Sequence, residues 1–141
     1  MRILLVSDLH YRLPQCDWVV RVAPSFDLVV PAGDHLDINS AVSLDAQSVV
    51  ILRYLSLLRS AGDVAVSSGN HDLTGPDGQG EQAALWFSEA RLAGVPTDGD
   101  SLLLGDTGKA ARSKRRTRWK SKSLSYSIWR VSSSLGVTVP T

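Results

Sequence analysis

The chain has 141 residues, 43% of them hydrophobic, with 15 Lys/Arg against 14 Asp/Glu and one cysteine, Cys16. That length supports one domain with a real core and hardly two. A lone cysteine excludes an intramolecular disulfide, and no run approaches the ~18 apolar residues of a membrane span. The near-neutral balance hides an asymmetry: residues 1–108 carry 6 Lys/Arg against 14 Asp/Glu, a net of −8, whereas residues 109–141 carry 9 Lys/Arg and no acid, a net of +9.

Arg2 to Ser7 reads as a buried strand, because its apolar residues run on rather than alternate. The run stops at Asp8, too short for the apolar part of a secretory signal, so a cytoplasmic location is expected. The strand ends in Asp8-Leu9-His10, and alternation on an extended chain points Asp8 and His10 the same way. Pro14 to Val22 suits a short amphipathic helix, with Trp18 read as core or lid packing and Cys16 as a small, partly buried residue.

A second strand is expected at 27–32, with Pro31 opposing full ladder bonding. It delivers Gly33-Asp34-His35-Leu36-Asp37, in which His35 reads as an exposed loop residue or as support behind a ligand. A helix follows near 42–60, with Asn39 or Ser40 as its cap and Gly62 as its stop. Leu44, Val49, Ile51, Leu52, Leu55 and Leu58 give it an apolar face.

The third strand, 64–68, leads into Gly69-Asn70-His71-Asp72. A Gly/Pro loop, Leu73 to Gly80, comes next; it lacks the Gly-Lys-Ser/Thr ending of a phosphate cradle. A second helix is expected over 81–92, and Ser101 to Leu104 suits a fourth strand.

Strand, helix, strand, helix, strand at this spacing predicts an α/β fold with a mostly parallel sheet. Ligands of such sheets sit outside the carboxyl ends of the strands, where all three polar clusters fall. Carboxylates, an amide oxygen and imidazoles suit Mn, Fe, Zn or Mg.

In this order and spacing, Asp8-x-His10, Gly33-Asp34-x-x-Asp37 and Gly69-Asn70-His71-Asp72 resemble the first three motifs of the calcineurin-like metallophosphoesterases. The resemblance covers roughly residues 2–106 and implies part of a layered α/β sandwich carrying two divalent metal ions. It implies that Asp8 and His10 hold the first metal, that Asp34 bridges both, and that Asn70 holds the second. His71 is similar to the acid that protonates the leaving group, and Asp37 to the carboxylate that orients it. The implied activity is two-metal hydrolysis of phosphomono- or phosphodiesters.

The family's later histidines have no counterpart, since the chain's three histidines are His10, His35 and His71. A site short of ligands predicts weak metal binding, at most one metal held well, and poor turnover. Two segments are therefore expected: 1–107, the N-terminal part of such a domain, and 108–141, a Ser/Arg/Lys-rich tail that packs less well. The tail reads as foreign to the family, an out-of-frame or truncated continuation. The competing function is a non-catalytic α/β scaffold whose tail binds nucleic acid or another polyanion. Lys114, Arg115, Arg116, Arg118, Lys120 and Lys122 would contact phosphates, with Trp119 and Tyr126 available for stacking.

Overall fold

In a computed structural model of the chain, residues 1–102 are described. The segment boundary expected at 107, the basic tail and most of the strand expected at Ser101–Leu104 lie outside these residues. Ser101 and Leu102 are not in a strand.

Three strands make a parallel sheet in the order β1 (Ile3–Val6), β2 (Leu28–Pro31), β3 (Asp63–Val64). Ile3 pairs with Leu28 and Val6 with Pro31, while Leu28 and Val29 pair with Asp63 and Val64. The third strand is much shorter than expected. It resumes only as an isolated bridge from Ala32 to Ser67, while the Val66 N–H, on the side away from β2, donates to the Pro96 carbonyl at 2.9 Å. Pro31 closes β2, where its missing N–H costs little, and its carbonyl accepts from Ser67 at 3.2 Å.

Helix α1 (Leu13–Val22) begins with a proline in its first turn, which suits the unbonded N–H groups there. Helix α2 (Leu44–Ala61) is capped by Ser43, not by Asn39 or Ser40: its Oγ accepts from the Ala46 N–H at 3.4 Å. Asp45 in its first turn and Arg59 in its last complement the helix dipole. The strand order moves one way across the sheet, so right-handed connections put both helices on one face. They meet there, with the Tyr54 hydroxyl donating to Asp17 at 2.6 Å.

The helix expected over 81–92 is a correction. Gln82–Ala83 forms a strand, β5, antiparallel to β4 (Gly75–Pro76), and only α3 (Phe87–Leu92) is helical. The expected loop at 73–80 therefore holds one arm of a hairpin. Local pattern lost to tertiary contacts: Thr74 donates to the Ala83 carbonyl at 2.9 Å, and the Trp86 indole N–H to the Asp72 carbonyl at 3.2 Å.

The core joins Cys16 and Val19 of α1 to Ile51, Leu55 and Leu58 of α2, over Val29 and Val64 of the sheet. Leu36, Trp86, Phe87, Ala90 and Val95 extend it. Trp18, expected to pack, is half exposed, and Val49 of α2 faces outward. No helix among the described residues is long and apolar enough to cross a membrane.

Candidate metal centre

The three strand ends are sewn together past the sheet by backbone bonds. Between the first two loops, the Asp8 N–H donates to the Gly33 carbonyl at 3.3 Å, His10 to Asp34 at 2.8 Å and Tyr11 to His35 at 2.8 Å. Between the second and third, Gly33 donates to Ser67 at 2.8 Å and the His71 N–H to Asp34 Oδ1 at 3.0 Å.

Closeness depends on two glycines. Gly33 has φ +83°, and a Cβ there would press within 3.2 Å of the Gly69 Cα. A Cβ on Gly69 would overlap the Asp34 carboxylate, 2.8 Å from its Cγ. The chain bends sharply here: among the described residues, the non-glycine residues with positive φ are Asp8 (56°), His10 (43°), Tyr11 (55°) and Asp34 (50°). Such conformations cost about 1–3 kcal/mol each and persist where surrounding bonds over-determine them.

Asp8, His10 and Asp34 converge. One ligand atom from each lies within 4.8 Å of the others, close enough that small side-chain rotations would bring all three onto one ion with bonds of ~2.0–2.2 Å. His10 Nε2 is 4.0 Å from Asp8 Oδ1. Two carboxylates and an imidazole, partly open to solvent and strained into one cluster, fit a divalent cation. The His71 ring meets the His10 ring edge-on at 4.7 Å, and its Nδ1 is buried with no hydrogen-bond partner. Asn70 is exposed at the start of the 3₁₀ turn Asn70–Asp72.

Asp37 is not joined to His71 among the described residues. Its carboxylate accepts from the Asn39 N–H at 2.9 Å, and its own N–H donates to Gln47 Oε1 at 2.8 Å. His35 is no exposed loop residue: it is 1% exposed, with Nδ1 at 2.8 Å from Asp72 Oδ2. Asp72 is fully buried, and burial alone would raise its pKa. Its bonds to His35, Gly69 and Leu36 outweigh that and hold it below the usual carboxylate value.

Asp72, Gln47 and Asp98 support the loops and were not singled out from the sequence. Asp72 had a signal, as the fourth residue of its motif. Asp98, whose carboxylate takes both the N–H and the hydroxyl of Ser68, lies in a turn with none.

No curated protein matches the chain. The family model described as calcineurin-like phosphoesterase matches residues 1–131, a span that runs past the composition break near residue 108. With the matching span and the shared parallel sheet, the chain belongs to the calcineurin-like phosphoesterase family.

Proposed function

We propose that the chain is a metal-dependent phosphoesterase acting through the cluster at the carboxyl edge of the sheet. The observation that carries this reading is the convergence of Asp8, His10 and Asp34 within 4.8 Å at strained loop positions. Asp8, His10 and Asp34 would hold one divalent cation, and Asn70 would offer its carbonyl oxygen to a second, shared through Asp34. A bound cation supplies Lewis-acid polarisation of a phosphoryl oxygen and lowers the pKa of a water molecule.

The protein's own groups do the remainder. The His71 N–H occupies Asp34 Oδ1, which fixes that carboxylate and leaves Oδ2 free to ligate. His71 lies beside His10 and would carry a proton to the departing ester oxygen. Orienting His71 is the role proposed for Asp37, whose Oδ1 accepts from the Asn39 N–H and whose second oxygen would have to turn toward the imidazole. Few ligands make for weak activity, because beyond His71 the sequence has no further imidazole.

The test is Mn²⁺-dependent hydrolysis of an aryl phosphodiester and the matching monoester by the purified chain. Slow, metal-dependent turnover well below ~1 s⁻¹ is expected, lost in Asp34→Asn. Absence of both Mn²⁺ uptake and metal-dependent hydrolysis would overturn the reading.

A further inference from the structure

Behind the metal cluster lies a buried pair that none of the steps above uses. Asp72 is 0% exposed and reaches across to the neighbouring loop with both oxygens. Oδ1 accepts from the His35 N–H at 2.9 Å and the Leu36 N–H at 3.1 Å. Oδ2 accepts from the Gly69 N–H at 2.8 Å and meets His35 Nδ1 at 2.8 Å. Backbone N–H groups can only donate, so the carboxylate accepts throughout and His35 carries its proton on Nδ1.

The ring of His35 is held edge-on to Trp86 at 5.8 Å and to Phe87 at 6.3 Å, while Trp86 donates to the Asp72 carbonyl. The position of the pair gives it meaning. His35 follows Asp34 directly, and Asp72 follows Asn70 and His71. A buried pair of this kind gains little net stability over an apolar pair of equal volume. What it does provide is a fixed spacing between two loops.

We infer that His35 and Asp72 form a positioning brace, which holds the Asp34 carboxylate against the His71 N–H and thereby sets the metal affinity of the cluster. The inference rests on the metal-site reading above, and outer partners of this kind are worth about 10- to 100-fold in metal affinity.

The variants are chosen by where they put a donor. In His35→Asn the amide nitrogen sits where Nδ1 sits and can still donate to Asp72. In His35→Leu there is no donor. In His35→Gln the amide reaches the Nε2 position instead, so this variant replaces His35→Leu should the latter not fold. Leu55→Ala, in the core of α2, loosens the packing of the cavity that His35 also lines but removes no hydrogen bond of the brace.

Two readouts are taken on the full chain. One is hydrogen exchange at the His71 amide of the metal-free protein, relative to the amides of β2. The other is the Mn²⁺ dissociation constant. His35→Leu is expected to speed exchange at His71 and weaken Mn²⁺ binding by about tenfold or more. His35→Asn should keep both within about threefold, and Leu55→Ala should leave Mn²⁺ affinity within about twofold. The brace is refuted when His35→Leu changes exchange less than about threefold, or when His35→Asn is as damaged as His35→Leu. It is refuted too when Leu55→Ala weakens Mn²⁺ binding as much as His35→Leu does. If the unaltered chain takes up no Mn²⁺, the phosphoesterase reading fails and the exchange measurement alone decides the brace.

Discussion

At Asp72, one carboxylate that is 0% exposed satisfies three backbone N–H groups and an imidazole. Its pKa lies below the ordinary 3.8, because those bonds outweigh the burial that would raise it. The sign follows: the stability it contributes is complete above the ordinary carboxylate value and is lost as pH falls through its lowered one. In Asp72→Asn the amide oxygen can still accept, but the Gly69 N–H and His35 Nδ1 lose their acceptor. Two unpaired buried donors cost roughly 2–5 kcal/mol at pH 7. The gap between the parent and Asp72→Asn should therefore stay level from pH 7 down to the ordinary carboxylate value of 3.8 and narrow below it, measured by urea unfolding at each pH. A gap that stays constant would mean that charge plays no part at this position. Asp34 illustrates what residue chemistry alone does not disclose. Its candidacy as a ligand can be read from Gly33-Asp34, yet its φ of 50° and its dependence on the bare Cα of Gly69 come from three loops meeting, which no single stretch encodes.

Among the elements, α2 was the most legible, since its apolar spacing, its acidic first turn and its Gly62 stop agree with one another. What the spacing concealed is Gln47, a polar residue 0% exposed on the first turns of that helix. Its amide N–H groups donate to the carbonyls of Asp37 at 2.9 Å and Val42 at 2.7 Å, and its Oε1 accepts from the Asp37 N–H. Helix α2 thus fastens the loop that follows Asp34. Gln47→Ala removes all three bonds and should cost roughly 2–4 kcal/mol. Amide exchange should rise most at Asp37, with little change across β1 and β2. An even rise over the whole protein would place the role of Gln47 in general packing instead. The element that misled was the stretch 81–92. Its apolar residues suit a helix, but pairing with Gly75–Pro76 and the anchoring of Trp86 to Asp72 are contacts with distant residues. Periodicity carries no information about them.

For the whole molecule, a short sheet brings three loops to one edge, and the site is only as complete as the donors those loops carry. Order and spacing of the motifs made that edge legible, because parallel strands deliver their carboxyl ends together. Less legible was which polar residues would touch: Asp8, His10 and Asp34 converge, whereas Asp37 turns to Asn39. The decision between a one-ion and a two-ion site follows from counting donors. Three converging side chains, with waters, can complete the shell of one ion. Among the described residues, the donors proposed for a second ion are the shared Asp34 and the exposed amide of Asn70, and no histidine follows His71 in the sequence. One tight Mn²⁺ per chain is therefore expected, with any further binding much weaker. Since the three donors come together only when β1 and β2 are paired, that ion binds the folded state in preference to the unfolded one. Free Mn²⁺ at 100 times its dissociation constant should then stabilise the chain by about 2.7 kcal/mol. The rise in melting temperature should amount to several degrees, be reversed by a chelator, and be absent in Asp34→Asn. Two tight sites by calorimetric titration would show that donors outside this cluster complete the second shell.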